Sequence, residues 1–553
     1  VLDILLLVIL LLLTLNQNLT DMSFATVDYI VFIAYALLIV SLGLWVSFRK
    51  RDSETNSGDY FLAGRALPWW AIGASLIASN ISAEQFIGMS GSGYAIGLGI
   101  ASYEWMAALT LILVAVFFLP IFLEKRIFTM PQFLEVRYDK RVKTVMAGFW
   151  LLVFVFVNLT SIIYLGALAM QRIMGINMTY AIIGLAFFAA LYSIYGGLKA
   201  VAWTDVVQVV FLVGGGLVTT YFALDYLSDG HGFIAGFKAL LQKAPEKFDM
   251  ILEKGKLMIP DGKGGQKDAY IDLPGISVLI GGMWVANLYY WGCNQYIIQR
   301  ALAAKSIKEA QSGLVFAAFL KVLLPLIVVI PGIVAFALHA DIAKSDEAYP
   351  WLLHNFVPTG VKGLAFAALV AAIVSSLASM MNSVSTIFTM DFYKEYINKD
   401  ASEHKLVTVG RIAAFVALLI AVFIAPMLSN LDQAFQYIQE FTGFVSPGAL
   451  AIFLAGFFYK KATANGALGA AVGTFVFSLL FKLLLPNLPF MDRMGIVFLI
   501  CLAIIWIFAM VEGNKQHVKA ITISKELFST GKGFKIGSAI IIALLIILYA
   551  IWW

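Results

Sequence analysis

Apolar runs of about twenty residues alternate with short polar loops along nearly the whole chain, a length that crosses ~30 Å of hydrocarbon as a helix. The pattern predicts about fourteen spans, at 27–48, 69–97, 100–123, 144–171, 178–195, 203–225, 272–298, 311–339, 361–393, 407–427, 431–458, 464–486, 493–512 and 536–553. Two of them carry polar residues where hydrocarbon would forbid them. The span from Trp69 to Gly97 is interrupted by Ser79-Asn80-Ile81-Ser82 and then Glu84-Gln85. The span from Asp272 to Gln295 is expected to break at Asn287, with Tyr289, Tyr290 and Trp291 behind it. An unsatisfied backbone group in hydrocarbon costs several kcal/mol, so a broken helix survives only where it lines a cavity or an ion site. Each interrupted span heads a set of five, 69–225 and 272–458. An odd number per set starts the second on the opposite side of the membrane, the arrangement of inverted repeats around a central binding site.

Loop charge gives the orientation. Arg49-Lys50-Arg51, the cluster Lys125 to Lys143, Lys199, Arg300 with Lys305 and Lys308, Lys394 to Arg411, Lys460-Lys461 and Lys515 to Lys535 all fall on one side. The positive-inside rule makes that side cytoplasmic and places the end of the last span outside. Residues 1–22 are expected to be an N-terminal extension. The Leu-rich stretch 1–15 lacks the basic start of a signal peptide. Residues 23–553 then form one transporter domain. The polar stretch 226–271 is expected outside as a surface cap or flexible loop.

Composition agrees: 61% of residues are hydrophobic and 13% charged, with a mean hydropathy of +0.89, which excludes an ordinary soluble protein. Cys293 and Cys501 stand far apart in apolar surroundings and read as small hydrophobes. The five histidines show no ligand spacing. With no nucleophile–base pattern in the spans, the chain does not read as an enzyme. No cofactor and no nucleic-acid partner are expected.

The chemistry concentrates at mid-membrane. The stretch from Gly363 to Met390 is rich in small residues and carries Ser375, Ser376, Ser379, Asn382, Ser383 and Ser385. Small residues let neighbouring backbones approach, and membrane serines often serve only as glue between helices. Beside a broken helix with free carbonyls, the same hydroxyls make a site for a hard monovalent cation. Glu104 and Lys321 are intramembrane charges and therefore functional candidates. They read either as a structural ion pair or as two walls of a cavity that hydrogen-bonds a hydroxylated solute. Gln85, Asn287 and Gln439 add amides, and Tyr103, Tyr290, Trp291 and Phe435 add aromatic faces. Asp205 sits near the start of its span.

These residues resemble the solute:sodium symporter family, most nearly its bacterial sodium/galactose branch. The matching stretches are Asp59-Tyr-Phe-Leu-Ala-Gly-Arg, Ala74-Ser-Leu-Ile-Ala-Ser-Asn-Ile-Ser-Ala-Glu-Gln-Phe-Ile-Gly, Tyr195-Gly-Gly-Leu through Trp203-Thr-Asp, Trp284-Val-Ala-Asn-Leu-Tyr-Tyr-Trp-Gly, residues 363–394, and Gln433-Ala-Phe-Gln-Tyr-Ile-Gln-Glu. The resemblance runs from about Ser23 onward. It implies an all-α membrane protein with a LeuT-like fold and sodium-driven alternating access. It implies that Ala78, Ile81 and Ala372 carbonyls and Ser375 and Ser376 hydroxyls bind one Na⁺, with Asp205 on the ion's exit path. It implies that Gln85, Glu104, Asn287 and Lys321 bind a sugar, with Gln439 and Trp291 lining the pocket. Tyr290, held by Asn80, would be the inner gate, and Met89, Tyr103 and Phe435 the outer gate. Ala107 departs from the galactose-transporting pattern, which has a hydroxyl residue there, so the sugar stays open between galactose and glucose. Another solute of the same family, such as an inositol, a sialic acid or an amino acid, is the alternative. A solute-binding sensor or channel is a further one, although the polar residues cluster near the midplane and do not form a stripe through it.

Overall fold

The computed structural model describes residues 24–48, 57–260, 265–430 and 434–553. The extension 1–22, the basic run Arg49-Lys50-Arg51, the first half of the Gly/Lys run after Asp261 and Gln433 lie outside the described residues. The rest is a helical bundle. Among the described residues ten helices are long and apolar enough to cross a membrane, or eleven if the bent pair Phe435–Thr442 and Ser446–Phe458 is one span. Three expected spans fall short of that criterion for a physical reason. Those near 69–97 and 272–298 are broken, and Met178–Leu191 is an apolar helix too short to qualify. The count of fourteen is therefore not reached by length and composition alone.

The expected spans 178–195 and 203–225 are two helices of the stretch Met178–Leu227, joined across a kink at Gly197, which has φ 56° and ψ −162°. A Cβ at Gly197 would sit 2.4 Å from the Tyr60 carbonyl oxygen. Only glycine meets both the positive φ and the close approach.

The first interrupted span forms helix Trp69–Asn80, an extended Ile81 and a π-helical turn Glu84–Met89 that runs into helix Ser90–Ala95. The second forms helix Gly282–Leu288, a π-helical turn Tyr289–Cys293, an extended Asn294 and helix Gln295–Leu302. The break is thus at Asn294 and not at Asn287. Asn287 is helical, and its Nδ2 donates to the Met283 carbonyl one turn back (3.2 Å). Asn294 takes the extended conformation and caps the next helix through Oδ1, which accepts from the Tyr296 N–H (3.3 Å). The two broken spans run antiparallel, with Leu67 bonded to Ala303 and Lys305, and Asn80 bonded to Tyr290. Both π turns consequently lie on the same side of the two breaks.

Three basic residues counted above as loop charges are buried: Arg137, Lys143 and Arg300. Arg137 donates to the carbonyls of Gly456 (2.9 Å), Tyr459 (3.0 Å) and Ala462 (3.2 Å), closing the C-terminal end of helix Ser446–Phe458. Lys143 pairs with Glu135 at 2.8 Å and approaches Asp391 and Glu395, both at 3.6 Å. At the other end, Asp28 Oδ1 accepts from the Gly360 and Gly363 N–H groups, each at 2.7 Å, and so caps the serine-rich helix Val361–Ile387 from another helix.

The stretch 226–271 is more than a loose loop. Helix Gly232–Lys243 and the strand pair Met258–Pro260 and Gln266–Asp268 organise it. Lys247 Nζ reaches the Ala95 carbonyl at 2.6 Å, tying this segment to the end of the first broken span.

Candidate functional site

A small cavity of about 60 Å³ lies between the two π turns. Helix Ser102–Phe117 supplies Glu104 on its first turn, and helix Ile307–Ala337 supplies Lys321. Lys321 Nζ donates to Glu104 Oε2 and to Asn80 Oδ1, and lies 5.0 Å from the centre of the Trp291 ring. Pro325 lacks the N–H that would bond the Lys321 carbonyl, and beside it Trp105 Nε1 donates to the Val322 carbonyl (3.3 Å). Asn80, the last residue of its helix, uses its other side-chain atom to donate to Tyr290 Oη (2.9 Å). A single amide therefore links the lysine to the tyrosine.

Gln85, Glu104, Asn287, Lys321, Gln439, Tyr290, Trp291, Asn80, Tyr103 and Phe435 all line the cavity. Tyr103 and Phe435 meet edge to face at 5.1 Å, and Tyr103 Oη donates to Gln436 Oε1 at 3.4 Å. Met89 is fully buried and lies outside the cavity lining. It follows Gly88, where a Cβ would sit 2.8 Å from Phe435 Cβ, so Met89 belongs to the packing behind that contact. Ala107 lines the cavity as well. Glu84, Thr442, Ser446 and Met494 line it without having been singled out as site residues. Glu84 Oε1 accepts from Ser161 Oγ (2.9 Å).

A second polar cluster lies below the first break, where helix Trp69–Asn80 crosses Val361–Ile387. The Ser82 N–H, which a continuous helix would give to the Ala78 carbonyl, donates to Gln85 Oε1 at 2.9 Å instead. Ile81 is extended, so the end of the helix presents carbonyl oxygens without their usual partners. Ser376 Oγ donates to the Ser79 carbonyl (2.7 Å), which also accepts from Tyr296 Oη. Ser375 Oγ donates to Asp205 Oδ1 (2.5 Å), and Ser75 and Ser79 donate to Oδ2 (2.5 and 3.4 Å). Arg300 completes the cluster by donating to Ser75 Oγ (3.2 Å), Ser379 Oγ and the Tyr296 carbonyl (2.5 Å). Ala78, Ile81, Ala372, Ser375 and Ser376 are all buried on the elements that meet here. Hydroxyls, freed carbonyls and a carboxylate form an all-oxygen donor set, which fits a hard cation such as Na⁺. Tyr296 was not singled out in the sequence, and Arg300 was read only as a loop charge. The available signal was Arg300 standing between Ile297-Ile298 and Ala301-Leu302, an apolar setting for a supposed loop charge.

Comparison with known proteins places this geometry. The sodium:solute symporter family model matches residues 60–473. The chain is 53% identical over 545 residues to the sodium/glucose cotransporter of Vibrio parahaemolyticus, covering 95% of this chain and 98% of that protein. It is 34% identical to sodium/myo-inositol cotransporter 2 of Mus musculus, over 81% of this chain and 69% of that protein. Among solved structures, a substrate-bound, outward-open Na⁺-coupled sialic acid symporter superposes with a TM-score of 0.76 at 23% identity, covering 88% of this chain and 98% of that one. Mhp1, a nucleobase-cation-symport-1 family transporter, superposes with a TM-score of 0.52 at 13% identity, covering 84% and 98%. The fold is the LeuT-type fold of these transporters, and the protein is a multi-pass membrane protein. With its family profile matched across most of its length and its two broken helices meeting at the cavity, the chain belongs to the sodium:solute symporter family.

Proposed function

We propose that this sodium-coupled symporter imports a neutral monosaccharide, galactose or glucose, through the Glu104–Lys321 cavity. The observation that carries the reading is the cavity chemistry. One carboxylate, one ammonium and the amides of Gln85, Asn287 and Gln439 surround a space faced by Tyr290 and Trp291. Paired opposite charges cancel, so the site suits a neutral polyol over an anion, and aromatic faces suit a pyranose ring. The 53% identical relative, a sodium/glucose cotransporter, supports the same solute class. A cyclitol is the second reading, because a sodium/myo-inositol cotransporter is also a relative and presents the same ring of hydroxyls.

In this mechanism Na⁺ binds between the Ala78 and Ile81 carbonyls and the Ala372, Ser375 and Ser376 oxygens, displacing the Ser376–Ser79 bond. That fixes the broken helix against the serine-rich helix and holds Asn80, and through it Tyr290 and Lys321, in a sugar-binding arrangement. Sugar then sits on Tyr290 while Tyr103 and Phe435 close over it. Rocking of the bundle swings Tyr290 away, and Na⁺ leaves past Asp205. Coupling requires that each ligand prefer one state, so that sodium tightens sugar binding and sugar tightens sodium binding by the same factor. The protein sits in a bacterial inner membrane with residues 69–225 and 272–458 as inverted repeats and its C-terminus outside.

Equilibrium binding of labelled galactose, glucose, myo-inositol and sialic acid to the purified protein, in sodium and in potassium, tests the assignment. The expected result is sodium-dependent binding of a hexose ahead of the other solutes. Sodium-dependent binding of sialic acid alone would overturn the neutral-sugar reading.

A further inference from the structure

Outside the transport pathway, the last helix, Lys532–Ile551, packs beside Ile307–Ala337 and leaves a groove of about 410 Å³ on the lipid-facing surface. One wall is Trp69, Phe316 and Phe319, with Trp69 set edge to face on Phe316 at 5.7 Å. The other wall is Gly533, Gly537 and Ile540. Trp69, Phe319 and Ile540 are each about half exposed, so no protein side chain covers them.

The groove is apolar along its length and basic at one end. Both bounding helices begin there, so their N-terminal dipole ends share that edge. Lys308 and Lys532 are exposed at that end: Lys532 opens the last helix, and Lys308 Cε lies 3.7 Å from where a Cβ on Gly531 would sit. Among the described residues no carboxylate pairs with these two lysines within ion-pair distance. The nearby Glu309 is engaged, accepting from the Trp69 N–H at 2.6 Å. An apolar slot that ends in unpaired ammonium groups is complementary to one kind of molecule, an acyl chain ending in a negative headgroup.

We propose that this groove is a binding site for an anionic phospholipid, its phosphate on Lys308 and Lys532 and one acyl chain along the Trp69–Phe319 wall. A lipid seated there touches Trp69, the first residue of the helix that carries the ion-site carbonyls. Occupancy would therefore bear on the rocking element directly.

Native mass spectrometry of the full chain tests this, with phosphatidylglycerol and phosphatidylcholine of identical acyl chains offered in equal amounts. Wild type should retain phosphatidylglycerol in preference. Lys308→Gln and Lys532→Gln should each weaken that retention about fivefold, the worth of one lysine near an anionic surface. Gly533→Leu should also reduce it, by filling the groove. A Cβ at Gly533 meets nothing within 4 Å, so that variant has no folding conflict to confuse the result. Equal retention of the two lipids by wild type would overturn the proposal. So would loss in the lysine variants with full retention in Gly533→Leu, which would mean a headgroup contact without an acyl site.

Discussion

Lys321→Ala separates a lysine that binds sugar from one that only neutralises Glu104. Lysine carries three N–H donors, and here two of them go to Glu104 and Asn80. The third is left for a solute in the cavity that Lys321 lines. A hydrogen bond from a charged donor contributes about 1.5–3 kcal/mol, so its loss should raise the sugar KM about 10- to 150-fold. The same change leaves Glu104, only 3% exposed, without its partner. Breaking a buried pair from one side costs about 3–5 kcal/mol of stability. Stability and transport therefore fall together in the single variant, and the second change Glu104→Gln pulls them apart. It removes the unpaired charge and should recover most of the thermal stability in detergent. It should not recover uptake, because neither the ammonium nor the carboxylate remains for the sugar. Sodium-driven uptake and melting midpoint would be measured on both variants. Recovery of uptake along with stability in the double variant would refute a sugar-binding role and leave a purely structural pair.

Other variants probe the remaining links. Ser376→Ala should leave the fold intact and raise the sodium concentration needed for half-maximal uptake severalfold, and an unchanged sodium dependence would remove the proposed ion site. Asp28→Ala should lower stability by about 1–2 kcal/mol, the worth of a helix cap, since two N–H groups lose one acceptor; an unshifted melting midpoint would contradict this. Burial pushes the Lys247 ammonium down to about 8 from its ordinary 10.5, with Glu246 opposing. Between those two pH values the unfolded chain binds more protons than the folded one, so stability attributable to Lys247 rises with pH. Melting of wild type against Lys247→Met across that window should show wild type gaining on the variant, and a constant difference would count against the buried-ammonium account.

The sequence was most legible where polar residues stood alone in hydrocarbon. Glu104, Lys321, Gln85 and Asn287 announce themselves because burial there is costly without a purpose, and all four line one cavity. The register of the second break was not legible. Asn287 and Asn294 are both helix-weakening residues, and the local sequence does not tell which of them takes the extended cap conformation that Asn294 adopts. Arg300, Arg137 and Lys143 were misplaced because a basic residue at the end of an apolar run looks like a loop charge. Their burial depends on distant partners, such as the Gly456 and Tyr459 carbonyls for Arg137, that no local pattern reveals. Met89, placed at the outer gate by the family resemblance alone, shares its π turn with Gln85 and lies outside the cavity lining.

The most direct test of sodium-coupled sugar import is concentrative uptake. Labelled galactose and glucose would be offered to proteoliposomes with an imposed inward sodium gradient, with potassium as the control. Accumulation above the external concentration with sodium, and none with potassium, is the predicted result. Equilibration of either sugar to the external concentration at the same rate in both ions would contradict coupling and make the protein a sodium-independent carrier.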